Sequence, residues 1–545
     1  MPNIIISKAV LEEKLGKSFS DEELKDRIAM LGTDLDGIEG DNIEVEIFPN
    51  RPDLLSEQGF SRALSSFMDI KTGLSTFDVL ESDYKVIVDK SVTMRPYTAC
   101  AVVKNLTLTD ASIKELMNIQ EKLATTHGRR RKKSAYGIYP LENIHFPVNY
   151  IAKDPSTIMF HPLGMETTIK ASAVEELHPK GREYKEVAKG WTKYPFFIDA
   201  KENIMCMLPY TNSHDTGKVD SSTKDVFIEC SGTDLDNVKV ALNILTTTLS
   251  DMGGVIHSVE VQYDKESIIT PELVPTGWDI DIDYINKRLG LTLSEKEFQK
   301  LFARMGHEYK EGTILVPAYR ADIMHQVDFI EEIAIAYGYE NFNAVIPNVN
   351  TVAKEDDLEI RKRKIANILA GLGMLETETY NLTNANNQNE KMLTDINLIT
   401  LKSAVNTEYD VLRAWITPSL MEVLNNNRSS EYPQKVFGIG RVFKEGDTET
   451  GVLEQERLAI TICDEQADFT NIKQTFDYLM RMLDIEYTMA ETEHPSFIPG
   501  RVARVTVNDK EVAYIGEMHP QVLNNWGIEY PVGVLELNLS EMFNL

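Results

Sequence analysis

Four acidic residues, Asp322, Asp328, Glu331 and Glu332, crowd one short stretch of this 545-residue chain. The stretch, VPAYRADIMHQVDFIEEIAIAYGY (316–339), reads as a strand, a sharp turn and an amphipathic helix. Val327, Ile330, Ile333, Ala334 and Tyr337 recur at helical spacing and predict the buried stripe. Asp328, Glu331 and Glu332 stand at i, i+3 and i+4, so three carboxylates share one helix face. Like charges at such spacings destabilise a helix by roughly 0.2–0.5 kcal/mol per pair. A bound cation would offset that repulsion. A plainer use of the same residues is a solvated acidic face near a helix N-terminus, which the helix dipole favours.

The N-terminal segment reads as a divergent second copy of this region. Leu15-Gly16, Ser20-Asp21-Glu22-Glu23-Leu24 and Ile28-Ala29-Met30-Leu31-Gly32 parallel Leu289-Gly290, Ser294-Glu295-Lys296-Glu297-Phe298 and Phe302-Ala303-Arg304-Met305-Gly306. Each copy then reaches an Arg-x-Asp turn. Setting Arg51 on Arg320 puts Asp53 on Asp322, Phe60 on Phe329 and Leu64 on Ile333. Asp328, Glu331 and Glu332 meet Gly59, Arg62 and Ala63, so the trio is absent from the first copy and the fold does not demand it. The shared aspartate opens a helix in both copies and reads as an N-cap.

The elements that hold these residues belong to a chain long enough for about three or four domains of roughly 150 residues. Composition is that of a globular protein, 42% hydrophobic and 26% charged. No run of about 20 apolar residues predicts a membrane span, and the N-terminus lacks the basic and apolar regions of a signal peptide. Cys100, Cys206, Cys230 and Cys463 are scattered, which predicts reduced thiols and a cytoplasmic location. The ten histidines show no zinc spacing. A net charge of −29 argues against nonspecific coating of nucleic acid. His127-Gly128-Arg129-Arg130-Arg131-Lys132-Lys133 is the one dense basic run, and reads as a solvated loop or a local phosphate contact. Four segments follow: 1–80, 84–265, 270–347 and 355–545, with a polar linker between the last two.

Several phrases carry a resemblance. They are Glu44-Val45-Glu46-Ile47-Phe48-Pro49-Asn50-Arg51-Pro52-Asp53-Leu54-Leu55-Ser56, the 319–339 run, Tyr409-Asp410-Val411-Leu412-Arg413, His494-Pro495-Ser496-Phe497-Ile498-Pro499-Gly500-Arg501 and Ile515-Gly516-Glu517-Met518-His519-Pro520. Together they resemble the β subunits of phenylalanyl-tRNA synthetase in the shorter archaeal and eukaryotic style, across nearly the whole chain. The resemblance implies an α+β multidomain fold. Two repeated helix-strand-helix (winged-helix-like) units, 1–80 and a B5-type domain at 270–347, would flank an editing domain of the B3/B4 type at 84–265. A degenerate class II synthetase-like antiparallel sheet domain would occupy 355–545. It further implies an (αβ)₂ heterotetramer with the α subunit that charges tRNA(Phe) with phenylalanine using ATP, chemistry residing on α. Consistent with that, Arg413 and Arg428 are isolated, and nothing after residue 440 offers a Gly-rich third motif. The family's magnesium ligands carry over to Asp322, Asp328, Glu331 and Glu332; Mg²⁺ takes one or two carboxylates directly and keeps several waters.

Editing has a physical rationale. An apolar pocket rejects the added hydroxyl of tyrosine only about 10²-fold, so a second hydrolytic sieve is useful. In the implied editing domain Glu229 would accept the tyrosine hydroxyl, and Asn212, Ser213 and Ser231 would hold the ester or a water. Aspartate and threonine are common in the family where Glu229 and Ser231 stand. Plainer roles are turn formation for Asn212 and Ser213 and helix capping for Thr233 and Asp234. A different class of protein, a free-standing tRNA-binding or aminoacyl-tRNA-hydrolysing protein on a dead synthetase fold, also accommodates these features.

Overall fold

Ser7 and Ser20 start the first two helices, their hydroxyls accepting from the N–H groups of Val10 and Glu23. Gly16 stops the first of these helices in a left-handed conformation, φ 67°, and Gly290 does the same in the second copy, φ 69°. The paired Leu-Gly motifs are therefore helix C-caps. In the computed structural model, which describes residues 2–544, the two copies run through the same order of elements. The first has strand Asn3–Ser7, helices Lys8–Leu15 and Asp21–Met30, strands Asp34–Glu39 and Asn42–Glu46, and helix Glu57–Phe67. The second has strand Thr276–Asp279, helices Ile282–Leu289 and Glu295–Arg304, strands Glu308–Lys310 and Thr313–Val316, and helix Asp328–Tyr337. In both three-stranded sheets the third strand of the copy lies in the centre. The opening strand of each copy went unread in the sequence.

Between the copies lie two stacked sheets. The inner one has five strands, ordered Val79–Leu80, Val255–His257, Tyr97–Lys104, Val226–Gly232 and Ser134–Pro140. Helices Asp110–Thr125 and Leu235–Asp251 share a core with Ala99, Ala101, Val103, Ile228 and Cys230 on one face. Cys100, Val102 and Phe227 face a seven-stranded mixed sheet through Tyr150, Phe197 and Val259. Burial on both faces explains the unbroken apolar runs of these strands. Strand pairing carries this layer beyond 84–265 at both ends, to Val79–Leu80 and to Ser267–Thr270. One continuous core unites both copies with the inner sheet, and Met1–Ile346 forms one compact unit.

The second unit, Pro347–Leu545, is built on a seven-stranded sheet, antiparallel apart from the edge strand Leu375–Glu376. Helices Asp357–Gly371 and Phe469–Leu483 pack on one core, and Thr417–Asn426 and Pro520–Trp526 on the other. Arg413 is 3% exposed and spends its guanidinium on the Arg441 carbonyl and on Thr379 Oγ1. Arg428 is exposed. No helix among the described residues is long and apolar enough to cross a membrane, and all four cysteines are free and buried.

Candidate functional sites: a paired arginine hook and a polar-walled cavity

The Arg-x-Asp turns are not helix caps. Arg51 grips Asp53 with two bonds, Nε–Oδ1 2.9 Å and Nη2–Oδ2 2.8 Å. Arg320 grips Asp322 in the same way, at 2.8 and 2.7 Å. Ser56 caps helix Glu57–Phe67 instead, and helix Asp328–Tyr337 begins at Val327 without a side-chain cap. Burial works against ionising Asp53, but Arg51, followed by Arg320 and Arg62, holds its carboxyl below the usual range. Arg51, Asp53 and Arg320 line one small cleft with Arg62 and Tyr319. Arg62 stacks its guanidinium 4.3 Å above the Tyr319 ring and pairs with Asp251. The repeat junction also carries hydrogen bonds, from Ser66 Oγ to the Ala303 carbonyl at 2.9 Å and from Arg304 to the Phe67 carbonyl.

The acidic helix divides its carboxylates. Its buried face is Phe329, Glu332, Ile333 and Ala336, while Val327 is 46% exposed and lies outside the stripe. Glu332 therefore points inward. Its Oε1 takes a 2.8 Å bond from Arg320 Nη2, and its Oε2 takes 3.0 Å from His307 Nε2. Burial opposes the charge on Glu332, yet Arg320 and His307 hold it far below the usual carboxylate range. Burial lowers the His307 pKa, so the ring is neutral and donates from Nε2. Asp328 accepts N–H bonds from Met324 and His325, both 2.8 Å, and Glu331 accepts from the Tyr339 hydroxyl at 2.8 Å. Among the described residues, no three of the four acids gather ligand atoms at the spacing of a single ion.

In the layer of stacked sheets a cavity of about 750 Å³ opens between helix Asp110–Thr125, strand Ser134–Pro140 and the segment around Asn212. Such a volume suits an amino-acid-sized ligand. Leu116, Tyr136, Ile138 and Leu208 give it apolar walls, and Glu121, Arg131 and Asn212 give it polar ones. Arg131 belongs to the basic run but turns inward, bonding the Pro209 and Tyr210 carbonyls and Glu121, while Arg129 and Arg130 stay exposed. All three adopt positive φ, 49°, 52° and 60°, so the run is an ordered turn.

Of the sequence-predicted editing residues, Asn212 lines this cavity and Glu229 lies behind it. Tyr139 joins them, its Oη lying 3.2 Å from Asn212 Oδ1 and 3.3 Å from Glu229 Oε1. Burial raises the Glu229 carboxyl to about 8, with Arg95 and Tyr139 pulling the other way. At neutral pH that shift favours the protonated acid, and the Tyr139 hydroxyl is placed to donate to either Asn212 Oδ1 or Glu229 Oε1. Among the described residues, Glu229 Oε2, Ser231 Oγ and Arg95 Nε make no hydrogen bond of ordinary geometry, an uncommon concentration of buried, unsatisfied polar atoms, although the Ser231 hydroxyl is near enough to Glu229 to favour its charged form. Gly137 stands opposite Glu229, and a Cβ there would lie 2.6 Å from the Glu229 carboxyl. Ser213 is a turn residue whose hydroxyl accepts from Asp215 N–H, and Asp234 caps helix Leu235–Asp251. Tyr139 and Arg95 were missed in the sequence. Pairing of strand Ser134–Pro140 with Val226–Gly232 brings Tyr139 to Glu229, Arg95 comes from the bend before strand Tyr97–Lys104, and no local pattern reports either.

Comparison with known proteins gives first the class. Residues 1–70 match the Phe-tRNA synthetase beta subunit B1 domain, residues 278–339 the tRNA synthetase B5 domain, and residues 343–539 the phenylalanyl tRNA synthetase beta chain CLM domain. The chain is an aminoacyl-tRNA synthetase subunit. It is 39% identical to the phenylalanine–tRNA ligase beta subunit of Pyrococcus abyssi, and 35% identical to that of Archaeoglobus fulgidus. All of this chain and 100% and 99% of those relatives are covered. The crystal structure of an N-terminal fragment of the phenylalanyl-tRNA synthetase beta subunit from Pyrococcus horikoshii superposes with a TM-score of 0.60 and 37% identity, covering 62% of this chain and 99% of the fragment. The chain belongs to the family of phenylalanine–tRNA ligase beta subunits.

Proposed function

We propose that this β subunit supplies hydrolytic editing of mischarged Tyr-tRNA to a phenylalanine-charging complex, with the cavity beside Asn212 as the editing site. The observation that carries the reading is the Asn212–Tyr139–Glu229 chain, which ties an amino-acid-sized cavity to a buried carboxyl with a free oxygen. A neutral carboxylic acid can both donate to and accept from a phenol. A phenylalanyl group would leave it unanswered, and leaving a buried polar group unpaired costs about 1–3 kcal/mol. Tyr139 covers Glu229, so a tyrosyl hydroxyl reaches it only when the Tyr139 ring swings aside. Ser231, two residues along the same strand face, would hold the ester or a water. The test is deacylation of Tyr-tRNA(Phe) by the complex with the α subunit. Glu229→Ala should abolish it and leave phenylalanine charging intact; wild-type deacylation in that variant would sink the reading.

Charging itself we assign to the α subunit in an (αβ)₂ assembly that uses ATP and tRNA(Phe). The commitment of Arg413 to backbone and threonine oxygens supports this, because an arginine so used is not free to grip a nucleotide. The 355–545 segment would then be an inactive class II fold serving assembly. Magnesium fits the acidic helix only in part. Asp328 and Glu331 keep surface carboxylates of the kind the ion takes together with water, whereas Asp322 and Glu332 are held by Arg320 and would support the turn from behind. A chain that expresses alone as a stable monomer would argue for the free-standing reading instead.

A further inference from the structure

Among the described residues, one further cluster of ligating side chains stands out. His161, His214 and Asp215 each offer a ligand atom, all within 4.8 Å of one another. A short antiparallel clamp builds the cluster. His214 N–H donates to the His161 carbonyl at 2.7 Å, Leu163 N–H donates to the Asn212 carbonyl at 2.8 Å, and Pro162 bridges Ser213. The two imidazoles stack at 4.5 Å between centroids. His161 Nδ1 and His214 Nδ1 each lie 3.6 Å from Asp215 Oδ1. That is too long for a hydrogen bond. It is close to the roughly 3.4 Å that separates two ligand atoms bound tetrahedrally at zinc–ligand distances.

The tautomer of His161 strengthens the case. Its Nε2 sits 2.6 Å from the Met165 carbonyl, an acceptor, so Nε2 carries the proton. The Nδ1 lone pair then faces Asp215 with no proton between them. A hydrogen bond from the remote ring nitrogen to a carbonyl is the usual orienting device behind a metal-bound histidine. Two imidazole nitrogens and one carboxylate are a donor set suited to zinc rather than to magnesium or calcium.

We propose that His161, His214 and Asp215 bind one Zn²⁺ ion at the wall of the cavity that His214 shares with Asn212. Asp215 is 69% exposed on its side chain, so the site opens to solvent and leaves room for water as a fourth ligand. The proposal rests on geometry alone and does not depend on the editing reading.

The test is zinc binding by the purified complex after removal of metals with a chelator. It is read by competition with a chromophoric zinc indicator and by X-ray absorption at the zinc edge. We expect one zinc per β chain, with histidine nitrogen in the first shell. His161→Gln and Asp215→Asn should each weaken binding at least tenfold, while His257→Gln, remote from the cluster, leaves it unchanged. Asp215 is exposed, so Asp215→Asn keeps the fold, and an unaltered melting temperature confirms that the loss is local. Absence of stoichiometric zinc in the wild type, or equal affinity in Asp215→Asn, would overturn the proposal.

Discussion

Glu331 and Glu332 are neighbours in sequence and opposites in energetics. Glu332 is buried against the Arg320 guanidinium and His307, whereas Glu331 is exposed and touches only the Tyr339 hydroxyl. Removing one partner of a buried ion pair strands the other, at a cost of about 3–5 kcal/mol. Glu332→Ala should therefore lower stability by that amount in chemical denaturation, and Glu331→Ala should stay within roughly 0.5 kcal/mol of the parent. Equal effects would mean that the helix does not sort its acids as described. Glu229 makes the opposite electrostatic statement. Its folded pKa of about 8 exceeds the unfolded value of 4.5, so between those limits the folded state holds a proton that the unfolded state has released. Stability is then fully present below about 4.5 and falls as pH rises through about 8, at about 1.4 kcal/mol per unit in mid-window. Glu229→Gln, which cannot ionise, should flatten that slope between pH 5 and 8 in urea titrations.

At the scale of elements, the repeat shows why some features could be read from the sequence and others could not. Leu-Gly stops, serine starts and the spacing of Phe60 with Leu64 and Phe329 with Ile333 are local, and they led to the two copies before any strand pairing was known. The Arg-x-Asp turn is equally visible; the aspartate alone predicts a cap, and the arginine shared with it is the signal for an ion pair. Anchoring the apolar stripe on Phe329 rather than Val327 would have put Glu332 inside it. Tyr139 and Arg95 had no such handle, because cross-strand register decides the company of the one and a bend outside any strand that of the other. The copies also differ where they must. Gly59, opposite Asp328, is obligatory in its own copy: a Cβ there would lie 1.9 Å from the Asp53 carbonyl oxygen, a backbone atom. Gly59→Ala should cost several kcal/mol, on the order of a severe overpacking substitution. Asp328→Ala, which loses only the two N–H bonds to its carboxylate, should cost less, about 1 kcal/mol. Circular dichroism melts of the two variants check this.

At the scale of the whole chain, the two compact units meet in a segment with its own signature. Residues 343–356 are exposed and carry neither helix nor strand. Within it Lys354 pairs only with Asp357, at 3.5 Å, and both side chains are more than half exposed; such pairs contribute little. Exposed backbone outside any helix or strand is where proteases cut first. Each side has its own buried core, and a relative's N-terminal fragment covering 62% of this chain was crystallised without the remainder. Limited trypsin digestion should therefore cleave early after Lys354 and leave two resistant fragments, 1–354 and 355–545. If the units fold independently, Glu332→Ala should lower the melting temperature of the first fragment and leave that of the second unchanged. A single shared transition, shifted as a whole by Glu332→Ala, would instead mean that the chain unfolds as one cooperative body despite its separate cores.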